Sequence, residues 1–204
     1  ITGTVDTVTA FTRDTFTNYI NRLYRPNNAT FIIAGGLTSK NGANIEDYRA
    51  KVQKEFGQWE SGKTASFEKI KERQESPQAL VRYKKSEQAH MCLGYRTFSW
   101  WDERRYILWV LTAILGRGMS SRLFIEVREK RGLCYSIGTY YDYFTDAGNM
   151  LTYAGVSTDV NSVKETVRVI LDEHNKIMEK GIKGISDKEL RRAKELIKGN
   201  FLLS

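Results

Sequence analysis

Two polar side chains that could share one site, Arg128 and Tyr135, lie seven residues apart in the chain. They belong to the segment from Leu115 to Ile137, LGRGMSSRLFIEVREKRGLCYSI. A guanidinium and a phenol are both hydrogen-bond donors, and one helix-to-strand turn can bring them to the same edge of a sheet. Spacing alone leaves two interpretations open: a joint role at a substrate, or the commoner case of a surface arginine and a sheet tyrosine that act independently.

The sequence does not predict a hydrolytic metal site. A catalytic zinc needs about three protein ligands and a water, and the chain has two histidines, His90 and His174. Neither lies in an H-E-x-x-H or H-x-x-E-H arrangement, and His174 falls on the apolar stripe of a predicted helix, as a core histidine would. No phosphate-binding loop, nucleophile elbow or dinucleotide fingerprint occurs. No cofactor is therefore expected in this chain.

One helix-to-strand turn must position the pair. The pattern predicts a buried helix over Tyr106–Leu115 and, after two glycines, a second helix over about Ser120–Lys130, capped by Ser120 or Ser121. Gly132 is expected to end that helix, and Tyr135 to stand at the start of a strand. The apolar face of the second helix is assigned to Leu123, Phe124 and Val127.

The remaining pattern predicts an α+β fold in which helices pack on a mostly antiparallel sheet. The expected helices cover 14–24 and 45–59 and two segments that begin at capping boxes, Ser162–Glu165 and Ser186–Glu189. The expected strands cover 29–34, 79–84, 89–98 and a hairpin formed by 134–144 and 150–156.

Composition shifts predict three parts of the chain. Residues 1–60 are assigned to one module, and 61–78, which are polar and contain Gly62 and Pro77, to a linker. Residues 79–204 are assigned to a second module. Because the first part has few predicted strands, it is expected to be the tail of a larger module.

Overall composition is that of an ordinary folded protein, with 41% hydrophobic and 27% charged residues. The net charge is +8, but acidic and basic residues alternate along the predicted helices, which is typical of solvated helix faces. Nucleic acid is therefore not an expected partner, and a basic nucleic-acid-binding domain stays a remote alternative. A membrane is not expected either, because no apolar run approaches the length of a membrane span. Cys92 and Cys134 are too few for a disulfide framework and are predicted to be buried free thiols.

The segment from Gly116 to Ser136 resembles the stretch G-x-x-S-R-L-F-x-x-[IV]-R-E-x-x-G-L-x-Y-S of the insulinase/pitrilysin/mitochondrial-processing-peptidase family of zinc metallopeptidases, in its processing-peptidase-like branch. Weaker similarity extends over Ile1–Thr4, Tyr24–Asn28, Ile32–Gly35 and Ile185–Leu190, and so over nearly the whole chain.

This resemblance implies a fold and a role. Members of the family consist of paired α+β modules that close like a clamshell on a peptide. The first module of a pair carries H-x-x-E-H and a later glutamate as zinc ligands. The second supplies an arginine and a tyrosine that reach the substrate backbone, and the matching positions here are Arg128 and Tyr135. The chain then corresponds to the tail of a first module followed by the second, non-zinc module.

The resemblance leaves two roles open because the zinc motif is absent from this sequence. The chain is either the peptide-binding portion of a zinc metalloendopeptidase or a catalytically inactive structural or partner subunit of the same fold. By itself it is expected to be inactive. The implied partners are a peptide substrate and a zinc-bearing module in cis or a catalytic partner subunit, in a homodimer or a heterodimer. The expected location is the cytoplasm or an organelle matrix, with the periplasm left open.

Overall fold

The chain divides after Glu68 into an amino-terminal unit, Ile1–Glu68, and a carboxy-terminal unit, Lys69–Ser204, in a computed structural model of the protein. The structure describes residues 3–37, 44–71 and 74–203. The division falls within the segment 61–78 that the sequence assigns to a linker. The assignment of the flanking parts to two peptidase-like modules stays a prediction.

The amino-terminal unit is helical in its described part. It contains α1 (Val5–Thr9), α2 (Arg13–Leu23) and α3 (Ile45–Phe56), of which the last two confirm the helices predicted over 14–24 and 45–59. Each begins at a side-chain cap: Thr4, Thr12 and Asn44 accept hydrogen bonds from backbone N–H groups of the first turn. None of the three helices contains a buried residue.

Two predicted strands are wrong. Residues 29–34 and 79–84 are extended segments outside any strand. Their apolar side chains lie in solvent, as for Ile32 and Val81, which are 81% and 90% exposed. A strand forms only where a neighbouring strand pairs with its backbone, and within the described ranges no segment pairs with either run.

We expect limited proteolysis to cut first between residues 61 and 78. A unit that buries few side chains opens at low free-energy cost, so the amino-terminal unit should be degraded before the carboxy-terminal one. Mass spectrometry of the early fragments checks this expectation. Protection of 61–78 together with early cleavage after Ala79 would contradict the predicted boundary.

The sheet of the carboxy-terminal unit confirms the predicted fold class. Its strands are β1 (Gln88–Thr97), β2 (Cys134–Tyr143) and β3 (Gly148–Ser157). Both β1 and β2 pair antiparallel with β3, so the order across the sheet is β1-β3-β2. A hydrogen bond of 2.8 Å from the backbone N–H of Phe144 to the carbonyl of Ala147 closes the β2–β3 hairpin.

The core lies between one face of this sheet and the helical elements that pack on it. These elements are α4 (Arg105–Gly116), a π-helical turn (Phe124–Glu129) and α5 (Val160–Lys180), while α6 (Asp187–Leu203) packs on α4. The fully buried side chains include Leu115, Leu123, Val127, Val156 and Ile170. Of the two free thiols, Cys134 is buried, whereas Cys92 is exposed because successive β1 residues alternate between the two faces.

Helix caps agree with the sequence at one of the two predicted capping boxes. At α6, the backbone N–H of Ser186 donates to Glu189 over 2.9 Å, and the N–H of Glu189 donates back to the Ser186 hydroxyl. The box predicted at Ser162 is wrong, because Asp159 caps α5 by accepting from the Ser162 N–H over 2.8 Å. In the described part of the chain, no helix is both long and apolar enough to cross a bilayer.

Candidate functional site

Tyr135 is the extra residue of a β-bulge at the start of β2. Cys134 pairs with Val156 and Ser136 pairs with Gly155, its neighbour on β3, so Tyr135 has no partner of its own. The bulge changes which face of the sheet each β2 residue occupies. It allows both Cys134 and Ile137, which simple alternation would place on opposite faces, to pack on the core. Tyr135 is left 74% exposed.

Arg128 lies in the π-helical turn that precedes this strand. The wider turn is marked by a hydrogen bond of 2.9 Å from the N–H of Lys130 to the carbonyl of Ile125, five residues earlier. Gly132, with φ of +62°, then ends the helix, as predicted, in a left-handed conformation that side chains disfavour. Neither Ser120 nor Ser121 caps the helix, and the Ser121 hydroxyl donates instead to the carbonyl of Gly118 over 2.7 Å.

The structure brings the two predicted site residues together. The guanidinium carbon of Arg128 lies 5.6 Å from the centroid of the Tyr135 ring and 4.8 Å from that of Phe124. Such cation–π contacts contribute about 0.5–1 kcal/mol at exposed sites. We refer to Phe124, Arg128 and Tyr135 as the aromatic–arginine cluster.

Phe124 is the member that sequence reasoning missed. Leu123 and Val127 are fully buried, as predicted, but Phe124 is only half-buried, with its ring beside the guanidinium. The available signal was its place four residues before Arg128, since side chains at that spacing meet on a helix surface.

The polar groups of the cluster are available to a ligand. Within the residues that the structure describes, neither the Arg128 guanidinium nor the Tyr135 hydroxyl has a hydrogen-bond or ion-pair partner. The two neighbouring cations differ, because Lys130 and Arg131 both pair with Glu126, at 2.6 Å and 2.8 Å. These hydrogen bonds hold the pKa of the Glu126 carboxyl below its usual range.

An open pocket of about 610 Å³ borders the Tyr135 side chain. It lies at the end of the sheet where β1 begins, β2 begins and β3 ends. Its polar lining includes Glu87, Gln88, Arg131, Ser157 and Ser162. A peptide that contacts Tyr135 therefore has room beside the sheet end.

The histidines serve the fold of the carboxy-terminal unit. His174 is buried, and its two ring nitrogens lie 2.9 Å from the Tyr95 hydroxyl and 3.3 Å from the Thr152 hydroxyl. His90 lies on the exposed face of the sheet, 2.8 Å from the Tyr153 hydroxyl. Over residues 3–37, 44–71 and 74–203, no group of three or more His, Cys, Asp and Glu side chains could hold a metal ion.

We expect the buried His174 to make the protein acid-sensitive. Burial lowers the pKa of His174 below the ordinary value of 6.5, against the opposing charge of Glu173. The unfolded chain therefore takes up a proton below about 6.5 that the folded chain resists, so stability is full above this pH and falls as the pH drops towards the lowered pKa. The loss is about 1.4 kcal/mol for each unit of lowering.

Urea unfolding at about pH 7.5 and about pH 5.5 measures this loss. In His174→Gln, which cannot titrate there, this part of the pH dependence should disappear. An equal acid-induced loss in the variant would show that other groups cause it.

Comparison with known proteins identifies the family. Residues 10–197 match the family described as "Peptidase M16 inactive domain". The chain belongs to this family. This membership confirms the resemblance to the insulinase-type metallopeptidases and makes the chain a non-catalytic carboxy-terminal domain of a zinc protease family.

Relatives of this M16 inactive domain are longer proteins. It is 34% identical over 206 residues to the "Uncharacterized zinc protease YmxG" of Bacillus subtilis and covers 100% of itself and 46% of that protein. For a protein of Streptomyces coelicolor with the same description, the identity is 33% over 205 residues, with 100% and 43% covered. The chain thus spans about half the length of the curated relatives it matches.

Solved structures agree with the fold. A protease from Helicobacter pylori superposes with a TM-score of 0.78 at 19% identity, over 98% of this M16 inactive domain and 47% of that chain. A peptidase M16 inactive domain from Pseudomonas fluorescens superposes with a TM-score of 0.52 at 25% identity, over 58% and 28%.

Proposed function

We propose that this M16 inactive domain is the peptide-binding, non-zinc portion of a zinc metalloendopeptidase, in which Arg128 and Tyr135 contact the substrate backbone. The observation that carries the proposal is the aromatic–arginine cluster. It holds two hydrogen-bond donors side by side at the end of a sheet, next to an open pocket, and neither donor has a partner in the described residues.

Each residue has a distinct part in this function. The Tyr135 hydroxyl donates a hydrogen bond to the scissile carbonyl oxygen, where negative charge develops as the amide is attacked. The Arg128 guanidinium donates to a neighbouring carbonyl and holds the peptide in place. Because Arg128 binds the substrate before the reaction, it acts on peptide affinity as well as on turnover.

The zinc would come from outside this chain. The residues here do not fit a zinc site, because both nitrogens of His174 face hydroxyl groups and the described part contains no ligand cluster. We infer that a zinc-bearing module, in cis or on a catalytic partner subunit, would hold the metal and would supply Lewis-acid chemistry for the hydrolysis. The greater length of the relatives is consistent with a module in cis.

Peptide binding by the chain alone tests the proposal. We expect an extended peptide, uncharged and capped at both ends, to bind, and Arg128→Ala to weaken that binding by about tenfold because charge-assisted hydrogen bonds are lost. Fluorescence anisotropy of a labelled peptide measures the affinity. The matched control is Lys130→Ala, which removes the same charge from a residue already paired with Glu126 and outside the lining of the pocket.

Two outcomes would oppose this function. Equal affinity of Arg128→Ala and the unchanged chain would favour the alternative, an inactive structural subunit of the same fold. Cleavage of a quenched fluorescent peptide by the chelator-washed chain, with stoichiometric zinc on metal analysis, would show that the chain is itself a complete enzyme.

A further inference from the structure

The charge balance around the aromatic–arginine cluster points to an anionic ligand. The carboxylate of Glu126 is the ion-pair partner that Lys130 and Arg131 share. Arg128 keeps its full charge and has no acidic partner in the described part of the structure. In its place, the rings of Phe124 and Tyr135 contact the guanidinium.

The donor geometry of Arg128 suits a carboxylate better than a carbonyl. A guanidinium presents five N–H donors in a planar fork, and a carboxylate takes two of them in parallel hydrogen bonds. One carbonyl oxygen matches only part of that fork. The rings of Phe124 and Tyr135 accept no N–H hydrogen bond that would use up this fork, so its donors are available to a ligand.

Hydrolysis of a peptide creates such a carboxylate at this position. Water adds to the scissile carbonyl carbon and the C–N bond breaks; one product ends in a carboxylic acid and the other begins with an amine. The acid ionises at neutral pH because its ordinary pKa is about 3.5. The anion thus forms where Tyr135 and Arg128 already contact the peptide in the proposed function.

We propose that Arg128 and Tyr135 form a receptor for the α-carboxylate at the carboxy-terminus of a cleaved peptide, with Phe124 as a positioning residue for the guanidinium. This inference rests on the proposed function. Arg128 holds the two carboxylate oxygens and the Tyr135 hydroxyl donates to one of them. The product that carries the new carboxylate is therefore retained at the site and competes with the next substrate.

Glu87 limits the anions that this receptor accepts. It is the acidic side chain in the lining of the neighbouring pocket, immediately before β1. A peptide with further negative charges in the pocket would be repelled by this carboxylate, whereas a terminal carboxylate at Arg128 binds a residue that is not in the pocket lining. The receptor is thus expected to favour peptides whose only negative charge is terminal.

Three peptides of one sequence test the receptor on the whole chain. The first is capped at both ends, the second has a free terminal carboxylate, and the third is capped but has one internal glutamate. We expect the second to bind about tenfold more tightly than the first at low salt, and the difference to shrink in about 0.5 M NaCl. The third should bind no more tightly than the first.

Variants assign the effect to the cluster. Arg128→Gln should abolish the tighter binding of the free carboxylate, and Lys130→Gln should preserve it, because Lys130 is paired with Glu126 and lies outside the pocket lining. Phe124→Leu should reduce it by about twofold to fivefold, as expected for one cation–π contact, and Phe124→Tyr should restore it. In the unbound chain, Phe124→Leu should also shift the NMR signals of the Arg128 side chain, which the ring current of Phe124 affects.

The two proposals can fail separately. If Arg128→Ala weakens the capped peptide but the free carboxylate gives no gain, the receptor is overturned and the proposed function stands. If the internal glutamate raises the peptide affinity as much as the terminal carboxylate does, the site binds acidic side chains. The assignment to a peptide terminus is then overturned. If no peptide responds to Arg128, both proposals fall.

Discussion

In an assembly that contains the zinc-bearing module, Tyr135→Phe is expected to lower kcat by about 10²–10³. The substitution keeps the ring beside Arg128 and removes the hydroxyl that would donate to the developing oxyanion. Because the donor acts mainly on the transition state, KM should change much less than kcat. Because Tyr135 is 74% exposed and its hydroxyl has no partner in the described residues, stability should change little.

Steady-state kinetics with a quenched fluorescent peptide, on protein with matched zinc content and melting temperature, checks this expectation. Tyr140→Phe is the matched control, since Tyr140 is a second exposed β2 tyrosine, at 56%, five residues further along the strand. It should retain full activity. Full kcat in a zinc-loaded Tyr135→Phe assembly would show that Tyr135 has no catalytic role. The catalytic part of the proposed function would then be contradicted.

Gly116→Ala is expected to lower the free energy of unfolding by about 3 kcal/mol, the upper end of the usual cost of overpacking. Gly116 is the last residue of α4, where the helix meets β2, and a Cβ there would collide with the backbone nitrogen and hydroxyl of Thr139. Helix propensity alone predicts the opposite, a gain of about 1 kcal/mol. The collision decides the sign because it involves backbone that cannot move independently of the sheet.

Gly199→Ala provides the control, because Gly199 lies in α6 and a Cβ there would meet nothing within 4 Å. That variant should be more stable than the original chain by up to about 1 kcal/mol. Urea unfolding of both variants measures the two changes. If Gly116→Ala were as stable as Gly199→Ala, the close packing of α4 on β2 would be contradicted. The position of the π-helical turn that follows α4 would then be in doubt as well.

Local sequence predicted most of the elements that carry the candidate site. An almost wholly apolar run predicted a helix over 106–115, which the structure shows as α4 (Arg105–Gly116). Alternation and a turn signal predicted the β2–β3 hairpin. The prediction that the helix ends at Gly132 is confirmed. The meeting of Arg128 and Tyr135 was foreseeable because one short turn separates them, so few conformations keep them apart.

The errors share a physical cause, which is that their outcome depends on residues distant in the chain. The apolar runs 29–34 and 79–84 have the composition of strands, but strands need pairing partners that local sequence does not specify. Asp159 rather than Ser162 caps α5. The reason is that the helix begins about one turn earlier after β3 than the capping pattern predicted.

By itself, the sequence determined the fold class, the family resemblance and the two residues of the candidate site, because these follow from periodicity, turn residues and a contiguous motif. Only the tertiary structure decided how those residues are presented. The bulge that exposes Tyr135 exists because Cys134 and Ile137 must both reach the core, and His174 is buried against Tyr95, 79 residues away. Such choices are made by packing across the whole unit, where the buried contacts that decide them join segments far apart in the chain.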